Sequence, residues 1–367
     1  VSLSARLELL VAELRTREID RLLVPAGANL RYLTGFTGSH GLASIDASPR
    51  GGHRFFTDFR YATQSARQLP ARFEREIVVG ELLEAVAGAL GAGRGRGARR
   101  LGFDDTATSV KQHARLAELV EEGWELVPCG GVVESLREVK DEREIRAIRA
   151  ACELAEEALR ATLRGGLAGR TERAVAIELE LAMRRLGAEA PSFPSIVAAA
   201  EHGALPHAEP RAVAIPPDAL VTIDWGAYLD GYCSDCTRTY ATGDPGEQAK
   251  DVYRLVLRAQ EATLAALAPG MNGREVDAVA REMIEAAGHG EHFGHGVGHG
   301  VGLEIHEGPR LSRTAGEQPL RAGNVVTVEP GVYLPGALGV RIEDLVVLRD
   351  GGCERLTGLA KDLTVVR

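Results

Sequence analysis

Asp224, Asp235, Glu329 and Glu343 stand in or at the ends of apolar, strand-like runs, and His299 lies in a glycine-rich stretch between the two pairs. Carboxylates aimed at one spot from apolar strands are costly unless a cation or a proton compensates them. The first pair sits in ALVTIDWGAYLDGYCSDCTRTYATG, where residues 220–226 and 232–240 read as strands joined at Asp230-Gly231, a strong two-residue hairpin signal. That turn sets Leu229 opposite Tyr232 and Gly226 opposite Asp235. Asp224 then becomes the same-face diagonal neighbour of Asp235, with Cβ atoms roughly 7 Å apart. The plain alternative is that one of the two faces solvent. The second pair repeats the device: NVVTVEPGVYLPGALGVRIEDLVVL gives a strand ending at Glu329, a Pro-Gly turn, a loop, and a strand carrying Arg341 and Glu343 on one face.

Between the pairs, GHGEHFGHGVGHGVGLEIHEGP holds five of the ten histidines within residues 289–306. Glycines around His295 and His299 let backbone approach a ligand closely. The stretch lacks the Lys and Ser/Thr of a phosphate loop, so its chemistry is that of metal or proton transfer. His289 and His292 read as surface loop residues. Four carboxylates and one imidazole suit Mn(II) or Co(II) better than a structural zinc site. Two ions bridged by carboxylates can activate water and polarise a carbonyl. Cys233 and Cys236 have zinc-like spacing, but a strand puts them on opposite faces and no second pair exists.

The elements that must position these residues contain an internal repeat. Shifted by 104 positions, residues 157–178 fall on 261–282 with eleven of 22 identities, including Gly166/Gly270, Gly169/Gly273 and Arg170/Arg274. Each copy reads as helix, glycine-rich turn, helix, and two such halves pack about a pseudo-twofold axis. Upstream, strands are expected at Arg21–Pro25, Leu42–Asp46, His53–Thr57 and Trp124–Pro128, with helical periodicity at 58–67, 81–90 and 110–121. The fold class is therefore α/β (α+β): an N-terminal α/β domain over 1–132, then the pseudo-twofold domain over 133–367. The charged, helical segment 134–149 follows the boundary. TGFTGSHG at 34–41 reads as plain loop, and the basic run at 94–100 as a solvated one.

Length and composition agree with two ordinary globular domains: 367 residues, 45% hydrophobic and 26% charged. A net charge of −9 argues against nucleic acid as a partner. No apolar run approaches the ~20 residues that cross a bilayer. The first segment reads as an amphipathic helix with Leu3, Leu7, Leu10 and Leu14 on one face, not a signal peptide. Five scattered cysteines are no disulfide framework, and the expected location is the cytoplasm.

IDWGAYLDGYCSDCTRT, HGVGHGVGLEIHE, VVTVEPGVY, GVRIEDLVVL and ALPHA, with the linker SLREVKDEREIRAIRAA and NLRYLTGFTGSHG and FFTDFRY upstream, resemble the pita-bread metallopeptidases over nearly the whole chain. That family includes aminopeptidase P, prolidase and methionine aminopeptidase. The resemblance implies two divalent ions, Mn first and Co or Zn as alternatives. Asp224 would bind the second ion, Asp235 and Glu343 would bridge, and His299 and Glu329 would complete the first. Glu329 matches the proton acceptor. His207, His295 and His306 match histidines that shuttle protons, contact the substrate and steady the tetrahedral intermediate. Arg341 matches an arginine beside the bridging Glu, where it orients that Glu or contacts substrate. AAEHGALPHA departs from relatives that carry a Ser-Gly pair before His207. The implied activity is metal-dependent hydrolysis between an N-terminal residue and a following proline in a peptide, of the aminopeptidase P kind, with prolidase (an Xaa-Pro dipeptidase) as alternative. A homodimer is implied too. A non-catalytic binding module on this fold would be expected to have lost ligands, and all five are present.

Overall fold

Why the acids converge begins with the helix-turn-helix repeat, which lays down one hydrophobic floor per half. The computed structural model describes residues 2–48, 51–91 and 99–367. The chain divides into two compact units, Val1–Arg137 and Glu138–Arg367.

The first unit is a six-stranded mixed sheet in the order Phe73–Ile77, His53–Thr57, Leu42–Asp46, Arg21–Pro25, Arg99–Phe103, Trp124–Pro128. Leu42–Asp46 runs antiparallel to both neighbours, and the remaining pairs are parallel. The helix Leu3–Thr16 buries Leu7, Leu10 and Leu14, three residues of the expected stripe. Phe73–Ile77 and Arg99–Phe103 were not expected as strands. The former is an edge strand with charged, exposed side chains, so it lacks an apolar pattern. TGFTGSHG is loop, with Gly35 in the left-handed region (φ 76) ending the helix Ala28–Thr34. Residues 94–98 of the basic run lie outside the described residues, and Arg99 and Arg100 open a strand.

In the second unit the charged segment is broken: Val132–Arg137 ends the first unit, and Glu142–Leu163 starts afresh behind a capping box of Asp141 and Glu144. The helices Glu142–Leu163 and Glu172–Arg185 bury Leu159, Val175, Leu179 and Met183 against Val197, Val221, Ile223 and Trp225 of the first strand set. Glu247–Ala266 and Gly273–Ala286 bury Val256, Ala280 and Ile284 against Val326, Val328 and Val346 of the second. Each Val, Leu, Ile or Met side chain among them contributes about 1.5–3 kcal/mol on leaving water. The strands are antiparallel: Cys236–Ala241, Leu220–Trp225 and Ile196–Ala199 in one sheet, and Glu307–Leu311, Gly298–Gly300, Val325–Val328, Asp344–Arg349 and Gly352–Arg355 in the other. No described helix is long and apolar enough to cross a membrane.

The repeat is real, and its register differs from the one that sequence identity suggests. Gly169 N–H donates to Ile215 O and Ile215 N–H returns a bond to Arg170 O; Gly270 N–H donates to Leu320 O and Leu320 N–H to Met271 O. Thr171 and Asn272, 101 positions apart, then cap the second helix of each copy. Glu172, Val175, Leu179 and Met183 thus correspond in burial to Gly273, Val276, Ala280 and Ile284. A slip of three residues turns a helix by about 300°, so the identity match kept nearly the same face while missing the true alignment. In the strands Ile215 matches Leu320, 105 positions on, and the same step takes Asp224 to Glu329.

Candidate metal centre

The Asp230-Gly231 turn forms, with Asp230 (φ 49) and Gly231 (φ 83) both in the left-handed region that a type I′ hairpin requires. Leu229 pairs with Tyr232, and the same register carries on to Trp225–Cys236 and Asp224–Thr237. Asp224 and Asp235 therefore share a face, as diagonal neighbours. In the second hairpin, the pairs Val328–Asp344 and Gly331–Arg341 place Glu329 opposite Glu343. Counting out from the equivalent residues Asp224 and Glu329, Thr237 corresponds to Glu343 and Asp235 to Arg341. So each half brings two acids, but the second acid of each pair sits at a different place. Cys233 and Cys236 point into separate apolar clusters, consistent with opposite faces.

The hairpins are joined where Glu343 N–H donates to Thr237 O (3.1 Å) and the Thr239 hydroxyl to Arg341 O (3.0 Å). Around this seam, ligand-type atoms of Asp224, Asp235 and Glu343 all lie within 4.8 Å of one another. His299 enters from the short strand Gly298–Gly300, with its N–H on the Thr327 hydroxyl (3.0 Å). Its Nδ1 lies 3.0 Å from Gly300 O, and that carbonyl assigns the proton to Nδ1. The Nε2 lone pair then faces Glu329 Oε1 at 3.4 Å and Asp235 Oδ2 at 3.6 Å. Acceptors facing acceptors need a cation or a proton between them. Asp224 Oδ1 and Glu343 Oε1 are buried without a hydrogen-bond partner, which makes the same demand. The donor set thus fits divalent metal.

Electrostatics agree. Burial raises the pKa of Asp235, with Glu343 and Asp224 adding repulsion; burial raises that of Glu343, with Glu329 and Asp224 adding to it. Glu329 is raised by burial as well. Burial lowers those of His295, His299 and His306, so the imidazoles are held neutral. Well above pH ~6.5 an unfolded histidine is also neutral, so there the histidines drop out and the acids titrate differently on folding, with the buried thiols of Cys152 and Cys236, raised by burial, acting in the same sense. Their native pKa values exceed the unfolded ones, the native state holds more protons, and stability falls with rising pH. Above about pH 6.5, metal-free protein should therefore lose melting temperature for as long as these acids stay protonated in the fold. Metal-loaded protein should show a much flatter profile, and equal slopes in the two thermal-melt series would refute this.

Arg341, which the sequence set beside Glu343, reaches it only indirectly. Its Nη2 donates to Asp224 Oδ2 (2.7 Å), its Nη1 to Tyr333 Oη (2.8 Å) and Pro206 O (3.2 Å), and its Nε to Thr237 Oγ1 (3.1 Å). Thr237 in turn donates to Glu343 Oε2 (2.7 Å). Tyr333 Oη is 2.9 Å from His295 Nε2, while His295 Nδ1 lies 2.8 Å from Gly296 O. Both nitrogens of His295 are thus taken up within the protein. His306 packs edge-on against His299, centroids 4.4 Å apart, and His207 is exposed at the rim of the cleft. Thr237, Thr327 and Tyr333 escaped the sequence reading; as neutral hydroxyls on strands they carried no charge or spacing signal.

All nine sequence-derived residues line or border one cleft of about 830 Å³. Phe193, Pro194, Ile196 and Pro206 form its apolar wall. None of the described free cysteines lines it.

The family model described as Metallopeptidase family M24 matches residues 146–350, and the Creatinase/Prolidase N-terminal domain matches 6–139. A curated relative, the uncharacterized peptidase YqhT of Bacillus subtilis, is 41% identical over 95% of this chain and 96% of its own length. Among solved structures, the Xaa-Pro dipeptidase from Bacillus anthracis superposes with a TM-score of 0.93 at 36% identity, covering 99% of this chain and 100% of that one. The X-Pro aminopeptidase from Thermotoga maritima gives 0.87 at 35% identity, covering 97% and 100%.

Proposed function

The chain belongs to metallopeptidase family M24, and from that membership we propose that it hydrolyses the bond between an N-terminal residue and a following proline. The observation that carries the reading is the set of buried carboxylate oxygens without partners, turned toward a cleft with an apolar wall. Asp224, Asp235, His299, Glu329 and Glu343 would hold two divalent ions. The oxygen-rich set favours Mn(II), with Co(II) or Zn(II) as substitutes. When bound, such ions acidify water and polarise a carbonyl.

The chain's own residues then divide the work. Glu329, with its raised pKa and the Thr327 hydroxyl 3.2 Å from Oε1, accepts a proton and passes it toward the leaving imino nitrogen. His207 at the rim and His306 beside His299 contact the substrate and steady the developing charge. His295, engaged at both nitrogens, lines the cleft and shapes it. The wall of Phe193, Pro194 and Ile196 suits a proline ring, which offers no N–H for a backbone-reading pocket. We take the aminopeptidase P kind as the reading, with an Xaa-Pro dipeptidase as the alternative. The same reading takes the protein to be a cytoplasmic homodimer.

The test is hydrolysis of an Xaa-Pro dipeptide and an Xaa-Pro tripeptide, before and after chelation, with Mn(II) added back. Chelation should abolish both activities and Mn(II) should restore them, the tripeptide being cleaved faster. Full activity after metal removal would sink the reading, and a strict preference for the dipeptide would move it to prolidase.

A further inference from the structure

The loop that carries His207 is tied down by a residue outside the cleft. Glu172, first residue of the helix Glu172–Arg185, is 1% exposed, and its carboxylate turns away from its own helix. It accepts from Ala199 N–H (3.0 Å), from Arg211 N–H (2.9 Å), and from Arg211 Nε (3.1 Å) and Nη2 (3.0 Å). His202 Nδ1 lies 2.9 Å from its Oε2. Ala199 and Arg211 are the two feet of one loop, and Pro206 and His207 are near its crown. At the crown Pro206 O accepts from Arg341, and on its flank Gly203 runs against Gly339 so closely that a Cβ on Gly339 would lie 1.7 Å from Gly203 O. A single buried carboxylate thus closes the loop, while backbone packing presses it onto the catalytic hairpin.

We propose that Glu172 is a positioning residue: by holding Ala199, His202 and Arg211 together it fixes His207 at the rim of the cleft. A bare helix-start role does not account for the geometry, because each of these donors lies outside the helix. Nor does the repeat supply the clamp twice. The equivalent residue, Gly273, has no room for a side chain, since a Cβ there would lie 2.1 Å from Arg310 O. The device belongs to the half that carries His207.

This rests on His207 meeting the substrate, so the experiment has one arm that needs no activity. Hydrogen exchange across 199–211 in metal-loaded Glu172→Gln should rise by about tenfold over the unsubstituted protein, with the helix Glu142–Leu163 unchanged. On an Xaa-Pro tripeptide, kcat/KM should fall about tenfold, and the same substitution in a His207→Ala background should change it less than about twofold. Unchanged exchange, or an equal loss in both backgrounds, overturns the proposal. If the unsubstituted protein cleaves no Xaa-Pro peptide, the functional reading fails and the exchange arm alone decides the clamp. Should Glu172→Gln not fold, Arg211→Met, at a more exposed site, removes two of the donors and is judged by the same exchange criterion.

Discussion

Glu343→Gln should yield a folded protein whose turnover of an Xaa-Pro peptide is lower by about a thousandfold or more. The reasoning separates two effects of one carboxylate. Glu343 is 1% exposed, with Oε2 held by Thr237 and Oε1 without a partner. An amide of the same shape keeps an acceptor for the threonine but loses the charge that a shared cation site needs. In metal-free protein the same change removes a buried acid that repels Glu329 and Asp224. The melting temperature of the metal-free variant at pH 8 should therefore equal or exceed that of the metal-free parent. The gain on adding Mn(II) should shrink. Lost activity together with lost metal-free stability would instead mark Glu343 as a fold residue.

Arg341→Met should damage both fold and function. The guanidinium is 4% exposed and serves Asp224, Tyr333, Pro206 and Thr237 at once. Burial opposes its charge, yet Tyr333 and Asp224 together raise its pKa, so it stays protonated. Removing it strands a carboxylate that is only 13% exposed and three other acceptors, a change that costs about 3–5 kcal/mol. Chemical denaturation should register that loss, with kcat/KM falling as Asp224 and Tyr333 lose their alignment. Arg341→Lys should recover little of either, because one ammonium cannot span a fork of four acceptors. Full recovery by lysine would mean that charge alone is needed, and that the fork is incidental.

What was legible in the sequence had local causes. The Asp-Gly turn allows one tight hairpin geometry, so the relation of Asp224 to Asp235 followed from counting. The repeat was visible because glycine turns and small helix residues recur. Its alignment was not, since the turn between helices is built by Gly169 in one copy and Gly270 in the other, while identity pairs Gly166 with Gly270. The partners of Arg341 were hidden for another reason. They come from four separate segments, and a guanidinium's reach says nothing of which acid lies within it. The clamp on Glu172 is of the same kind: its bonds depend on how a loop folds back 27 to 39 residues later.

The mismatch between the hairpins has one more consequence. Where the first half has Asp235 the second has Arg341, and where the second has Glu343 the first has Thr237. Two identical subunits related by a true dyad could never hold this arrangement, because any residue at one position would also occupy its twin. An arginine replacing Asp235 in both would crowd two cations into the seam, and an acid in place of Thr237 in both would crowd the anions. Joining the copies on one chain frees each position to change alone. The asymmetry that pairs Arg341 with Asp224 is therefore available to a fused duplicate and closed to a symmetric assembly of its parts.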